Sequence, residues 1–172
     1  MPKVSDIMES MEYGPAPEDA SAVRDWLRER GTFGHFIAGR FTRPGETFVT
    51  SDPATGEELA RVTQGTGRDV AKAVRAARRA QRGWGAMPGH DRARFLYAIA
   101  RTIQKRERFL AVLETLDNGK PIRESRDIDL PLVVRHFYHH AGWAEIAETE
   151  FPGHRALGVC GQIITVSYPP LT

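Results

Sequence analysis

The stretch that decides the fold is Gly158-Val159-Cys160-Gly161-Gln162-Ile163-Ile164, in which β-favouring residues are interrupted by glycines. The residues before it have mostly helical periodicity, and only eight residues, Thr165 to Thr172, follow it. Strand-forming residues that come after several helices indicate a fold with both helices and strands. Because so little chain follows, we expect the sheet that begins here to be incomplete.

The composition is typical of a soluble globular protein, with 41% hydrophobic and 27% charged residues among 172. The formal net charge of +2 is too small to indicate a polyanionic partner. A single cysteine rules out an internal disulfide, and no secretory signal or long apolar run is present. These features predict a cytoplasmic location without membrane attachment.

The first third predicts a short helix followed by strands. Residues 23–27 place apolar side chains on one helical face, and that helix is expected to stop near Gly31. Residues 35–41 and 47–50 are predicted as two strands, and the turn at 52–56 precedes a further β-favouring run. A small antiparallel sheet is the expected result.

The middle of the chain is predicted to be helical. One helix is capped by Thr66 and Asp69 and ends at Gly83; a second region, after Gly89, ends at Asn118-Gly119 and is either two helices or one bent near Arg106. A third begins near Asp129. The side chains expected to be buried are Val70, Ala73, Val74 and Ala77, then Phe95, Leu96, Ile99 and Ile103, then Val134, Phe137, Tyr138, Ala141 and Ala144.

A glycine-containing turn, Gly65 to Val70, lies between a predicted strand and a predicted helix, which is where a dinucleotide-binding turn occurs. That motif requires Gly or Ala at its sixth position, whereas this chain has the branched Val70. An ordinary helix-capping turn is therefore the favoured interpretation.

His136, His139 and His140 include two imidazoles four residues apart, the spacing at which both reach one metal ion. The zinc-protease motif also requires a glutamate after its first histidine, and Phe137 takes that place. Packed or surface histidines are the favoured alternative.

A basic stripe, Arg75, Arg78, Arg79 and Arg82, follows one face of the first long helix. Base-stacking aromatic residues do not interleave with it, so a solvated helix face is favoured over a nucleic-acid surface. Cys160 lies in an apolar run without the cationic setting that activates a thiol, and it is interpreted as a small core residue.

Several separated motifs together resemble the amino-terminal part of aldehyde dehydrogenases. They are His35-Phe36-Ile37-Ala38-Gly39-Arg40, Asp52-Pro53-Ala54-Thr55-Gly56-Glu57, Thr115-Leu116-Asp117-Asn118-Gly119-Lys120-Pro121, Ala141-Gly142-Trp143-Ala144 and the run 158–164. The resemblance extends from about Gly34 to Ile164. Residues 11–17 are further similar to the lead-in of the bacterial branch whose chains carry two dehydrogenase-like modules.

The resemblance implies an incomplete aldehyde-dehydrogenase-like α/β domain. Residues 1–33 would be a lead-in and residues 34–172 a truncated dehydrogenase domain. Its three helical segments would flank the cofactor domain, and strands near residues 155–166 would belong to the oligomerisation arm. Most of the nucleotide-binding sheet would lie outside this sequence.

The resemblance also implies roles for individual residues. Ile163 and Ile164 match two isoleucines that border the cleft for NAD or NADP in the family. Ser167 stands where family members have an asparagine that stabilises the oxyanion; its hydroxyl is shorter and has only one donor.

Some family members bind a monovalent cation through the aspartate of the Leu-Asp-Asn-Gly-Lys-Pro motif. In this chain that aspartate is Asp117, and backbone oxygens of Thr50 and Ser51 would complete the site. The alternative is that Asp117 only finishes a helix.

The family's cysteine nucleophile, glutamate base and glycine-rich cofactor turn have no counterpart in these residues. We therefore expect an amino-terminal fragment of an NAD(P)-dependent aldehyde dehydrogenase, shortened by truncation or frameshift and inactive alone. The alternative is a non-catalytic module that pairs with a full-length dehydrogenase or with copies of itself.

Overall fold

The computed structural model describes residues 18–163, and these residues form the expected α/β arrangement. An amino-terminal helix and five short strands are followed by a mostly helical region. The helices are α1 (Ser21–Arg30), α2 (Gly67–Ala86), α3 (Gly89–Lys105), α4 (Glu107–Asn118), α5 (Ile122–Glu124) and α6 (Leu130–Glu150), with a π-helical turn at Ser125–Asp129. The strands are β1 (Thr32–Phe33), β2 (Phe36–Ile37), β3 (Arg40–Phe41), β4 (Thr47–Ser51) and β5 (Glu58–Thr63).

The main sheet has the order β1-β5-β4. β4 pairs antiparallel with β5 across the turn at residues 52–56, but β1 joins β5 in parallel, so the sheet is mixed where an antiparallel one was predicted. The turn is held by Asp52, which is 4% exposed: its carboxylate accepts from the Ala54 amide at 2.9 Å and pairs with Arg24 of α1 at 3.0 Å.

The predicted strand over residues 35–41 is wrong. Those residues form a separate two-stranded hairpin, β2-β3, because the chain reverses at Ala38 and Gly39, both of which have positive φ angles. A continuous strand cannot contain such a pair of left-handed residues.

The core forms between α1, β5 and α4. Val23 and Leu27 of α1 pack with buried residues of the other two elements, and Trp26 lies with its ring centroid 5.3 Å from Phe33 and 5.4 Å from Phe109. The partners of α1 are Leu59 and Ala60 from β5 and Val112 and Leu116 from α4. α1 therefore belongs to this core, and the predicted division at residue 33 stays a prediction.

The helix pair α3 and α6 has the most extensive contact of any two elements. Ala93, Ala100 and Ala141 are buried, and these small side chains let the two backbones approach closely. Gly89 is also buried and lies against the backbone of α6: a Cβ at this residue would be 2.4 Å from the Ala144 carbonyl oxygen.

The predicted faces of two helices need correction. Phe95 (54% exposed) and Ile99 point outward, since the alanines, which give weaker hydrophobic signals, form the packed face of α3. No residue of α2 is buried, Val70 is 62% exposed and Val74 is only partly buried, so the predicted apolar stripe of that helix is not a core face within residues 18–163. Its end also lies at Ala86, beyond the predicted Gly83.

The predicted break near Arg106 and the predicted end at Asn118-Gly119 are confirmed. α3 ends at Lys105 and α4 begins at Glu107, with non-helical backbone at Arg106. α4 ends where Gly119 takes the left-handed conformation. In α6, Val134 and Ala141 are buried, and Phe137, Tyr138 and Ala144 are partly buried, as predicted.

Residues 151–163 form no strand, although residues 156–159 were predicted as one. Most of the second predicted strand, at 162–166, lies outside the described residues. This part of the structure is largely exposed, and strands are stable only when their backbone groups pair with a neighbour. Within the described residues, no helix has the length and hydropathy needed to cross a membrane.

Candidate functional site

The candidate site is where the end of β4 meets the end of α4. The Thr50 hydroxyl of β4 donates a hydrogen bond to the Asp117 carboxylate of α4, with an oxygen to oxygen distance of 2.6 Å. The sequence separates these residues by 67 positions, so only the fold brings them together. The pairing register shifts between Thr50 and Ser51, and such a bulge changes the direction of the backbone groups next to it.

Gly119 fixes the position of Asp117. Its φ of 77° ends α4, and a Cβ at this residue would lie 2.7 Å from Cγ of Pro53. The Leu-Asp-Asn-Gly-Lys-Pro motif therefore requires glycine for its conformation and for its contact with the Asp52 turn.

A groove of about 840 Å³ opens beside this contact. One wall is apolar, and the rim is polar. The apolar wall includes Trp26, Leu27, Phe33, Val62, Ile103, Leu110, Leu113 and Leu130; the rim includes Thr50, Glu114, Asp117, Lys120, Asp129 and His136.

Lys120 and Asp129 form an ion pair on the rim of this groove. The Lys120 side chain is only 12% exposed, so its charge lies against the groove wall. The pair links the segment after α4 to the π-helical turn before α6. The sequence did not predict this pairing, since a contact across a π-helical turn leaves no periodic signal.

The structure brings together the residues predicted to bind a monovalent cation. Asp117 is exposed, and its carboxylate faces Thr50, while Ser51 follows directly in β4. The cation itself stays a prediction. Among residues 18–163, no group of three or more His, Cys, Asp or Glu side chains is arranged to hold a metal ion.

The turn at Gly65 to Val70 is a helix cap, as favoured. The Thr66 hydroxyl accepts from the Asp69 amide, and the Asp69 carboxylate accepts from the Thr66 amide at 3.2 Å. Hydrogen bonding from the Thr66 hydroxyl is the main reason that the pKa of Asp69 lies below its ordinary value, and Lys72 contributes in the same direction. The amides of Thr66, Asp69 and Val70 are thus paired within the protein.

The three histidines of α6 are exposed. The Trp143 indole N–H donates to Nε2 of His139 at 2.9 Å, and Nδ1 of His140 lies 2.8 Å from the His136 carbonyl oxygen. The arginines of the predicted basic stripe are also exposed.

Cys160 is exposed, so its interpretation as a core residue is wrong. The segment that holds it packs on no layer of the described structure, and an apolar residue is buried only when it has such a layer. Ile163 is 99% exposed. Ile164 and Ser167 lie outside the described residues.

Comparison with known proteins agrees with the motifs. The sequence model of the aldehyde dehydrogenase family matches residues 41–171. Mitochondrial aldehyde dehydrogenase of Rattus norvegicus is 41% identical over 139 residues, which are 73% of this chain and 27% of the rat protein. The chain therefore belongs to the aldehyde dehydrogenase family.

Solved structures are similar over the same part of the fold. HpcC from Thermus thermophilus has a TM-score of 0.68 and 35% identity, covering 77% of this chain and 27% of that one. The NAD+ complex of aldehyde dehydrogenase from Bacillus cereus has a TM-score of 0.66 with the same identity and coverage. The chain spans 27% to 32% of the length of the curated relatives it matches.

Proposed function

We propose that this chain provides the amino-terminal helical layer of an NAD(P)-dependent aldehyde dehydrogenase and that these 172 residues do not oxidise aldehydes alone. Membership of the aldehyde dehydrogenase family supports the first part of this proposal. The second part rests on one observation: the only cysteine, Cys160, is exposed, and within residues 18–163 the hydrogen-bond contact of its thiol is with the Gly158 carbonyl oxygen, at 3.8 Å. A thiol without a cationic neighbour is poorly activated as a nucleophile.

Cofactor binding by this chain would depend on Ile163 and Ile164, which are proposed to border the cleft for NAD or NADP. The Bacillus cereus relative was solved with NAD+. Two aliphatic side chains supply apolar contact but no partner for phosphates or ribose hydroxyls. We therefore expect the isolated chain to bind NAD+ far more weakly than an intact dehydrogenase.

Calorimetric titration with NAD+ tests this proposal. The expected result is no saturable heat for the 172-residue chain, alongside normal binding by an intact aldehyde dehydrogenase measured as a control. Tight stoichiometric binding would show that the chain contains a complete nucleotide site.

Ser167 is proposed to occupy the position of the oxyanion-stabilising asparagine. A side chain with a shorter reach and one donor is expected to lower turnover in an otherwise complete enzyme by roughly a hundred- to a thousandfold. Placing serine at the equivalent asparagine of an intact family member tests this role, and unchanged turnover would exclude it.

The proposed monovalent cation would be held by the Asp117 carboxylate and backbone oxygens of Thr50 and Ser51. The hydrogen bond from the Thr50 hydroxyl to the Asp117 carboxylate supports it, because this contact holds the end of β4 next to the carboxylate. If Na+ or K+ binds, either ion raises the unfolding temperature relative to choline at equal ionic strength, and Asp117→Asn removes the difference. Equal temperatures in all three salts would exclude the site.

A second candidate function is a non-catalytic module that pairs with a full-length dehydrogenase or forms a homo-oligomer. Exposed apolar side chains favour it, since Phe95, Ile99, Trp143 and Ile146 all lie on the paired helices α3 and α6. Soluble monomers rarely expose large contiguous apolar patches. Co-purification with an intact aldehyde dehydrogenase would support this candidate, whereas a stable monomer that captures none would count against it.

The proposed location is the cytoplasm, which the balance of hydrophobic and charged residues favours. Nucleic acid is not proposed as a partner.

A further inference from the structure

The exposed face of α6 contains a pair of histidines one helical turn apart, His136 and His140. Side chains at this spacing lie on the same side of a helix, one above the other. Their ring centroids are 6.1 Å apart, with an angle of 41° between the rings. The two imidazoles are therefore neighbours that share access to solvent.

One contact fixes the chemical state of His140. Its Nδ1 lies 2.8 Å from the His136 carbonyl oxygen, and because a carbonyl can only accept, Nδ1 must carry the proton. In the neutral ring the lone pair is then on Nε2. Metal-binding histidines usually donate their second ring N–H in this way, which fixes the tautomer and the ring orientation.

His139 is committed to a different interaction. Its Nε2 accepts from the Trp143 indole N–H at 2.9 Å, so the lone pair of that nitrogen is already used. The ring centroid of His139 lies 5.3 Å from that of His140, but the two rings are nearly perpendicular, at 83°. The pair that remains for a shared ligand is His136 with His140.

The distances suit a metal ion. Zinc to imidazole nitrogen distances are about 2.0–2.1 Å, so two rings on one ion have centroids roughly 5 to 6 Å apart. A small side-chain rotation brings the observed 6.1 Å into that range. His136 also lines the groove that contains Glu114 and Asp117, whose charges favour a cation nearby.

We propose that His136 and His140 form a two-imidazole chelate for a divalent transition-metal cation on the exposed face of α6. Imidazole suits Zn²⁺, Cu²⁺ and Ni²⁺, whereas Mg²⁺ and Ca²⁺ require oxygen ligands. Water fills the other coordination positions. Metal binding by this pair does not depend on the proposed function, so an experiment can contradict one proposal without contradicting the other.

The test is calorimetric titration with Zn²⁺ alone, using the full 172-residue chain without a polyhistidine tag. A Cys160→Ser background removes the exposed thiol as a competing ligand. The expected result is one Zn²⁺ per chain. His140→Ala and His136→Ala should each weaken binding at least about tenfold.

His136→Ala is informative because it removes the ring but retains the backbone carbonyl that orients His140. His139→Ala is the matched control, and its Zn²⁺ affinity should stay within about twofold, since the Nε2 of His139 is bonded to Trp143. Circular dichroism confirms that each variant is folded. Absence of Zn²⁺ binding, equal affinity in His140→Ala and the parent chain, or an equal loss in His139→Ala would each overturn the proposal.

Discussion

Gly89→Ala tests whether the close packing of α3 on α6 stabilises this chain. The added Cβ would lie 2.4 Å from the Ala144 carbonyl oxygen and 3.2 Å from that of Glu145, whereas ordinary contact begins at 3.4 Å. The two helices would have to separate by about 1 Å, because the first obstacle is backbone that cannot rotate away. Overpacking of this kind lowers the free energy of unfolding by about 1–3 kcal/mol. The higher helix propensity of alanine offsets up to about 1 kcal/mol of that loss. We therefore expect a net loss of about 1–2 kcal/mol in the free energy of unfolding.

The control for this substitution is Gly142→Ala in α6. A Cβ there has no atom within 4 Å, so only the helix propensity changes, and stability should rise by up to about 1 kcal/mol. Urea unfolding followed by circular dichroism separates the two variants: for Gly89→Ala the midpoint should fall by about 0.5–1 M with an unchanged slope. A Gly89→Ala chain as stable as the parent would refute the reasoning, because the helices would then not be in close contact at this point.

Three further substitutions probe the site and its supports, each by urea unfolding. Thr50→Val removes the hydroxyl that donates to Asp117 and should lower the free energy of unfolding by about 0.5–1.5 kcal/mol. Thr47→Val in the same strand is the control and should have little effect. Equal effects of the two substitutions would mean that the hydrogen bond to Asp117 does not stabilise the fold. Gly119→Ala should lower the free energy of unfolding for two reasons, the φ of 77° and the close contact with Pro53. Gly39→Ala is the control for the effect of φ, because Gly39 has a φ of 79° and no neighbour within 4 Å. If Gly119→Ala lost no more stability than Gly39→Ala, the Pro53 contact would be contradicted. Thr66→Ala removes the helix cap of α2 and should cost about 0.5–2 kcal/mol. The pKa of Asp69 is lowered in the folded state, so its ionised side chain stabilises the fold above the unfolded pKa, and this contribution is lost as the pH falls through the folded pKa. The free energies of unfolding of the parent chain and of Thr66→Ala should therefore converge in acid. A constant difference down to low pH would contradict the role of Asp69.

Local signals in the sequence were sufficient for the start of α2 and the end of α4, although not for the end of α2 at Ala86. Thr66 with Asp69 predicted the capping box, and Asn118-Gly119 predicted the end of α4, since both depend on residues within a few positions of each other. The family motifs likewise placed Asp117 near Thr50, which no local pattern indicates.

Burial was harder to predict because it depends on partners far along the chain. Phe95 and Ile99 have the stronger hydrophobic signal in α3, but the packed face is formed by Ala93 and Ala100, whose small size allows α6 to approach. The hairpin at Ala38 was missed since alanine seldom adopts a positive φ. Cys160 was expected in the core because its neighbours are apolar, yet that segment has no layer to pack on in the described structure.

We proposed that this chain provides the helical layer of an aldehyde dehydrogenase and does not oxidise aldehydes alone. The most direct measurement is the absorbance of NADH or NADPH formed when the purified 172-residue chain is mixed with NAD+ or NADP+ and short aliphatic and aromatic aldehydes. The expected rate equals that of the buffer and of the Cys160→Ser variant. Turnover that depends on aldehyde and is lost in Cys160→Ser would contradict it, since the only thiol of the chain would then be an active nucleophile.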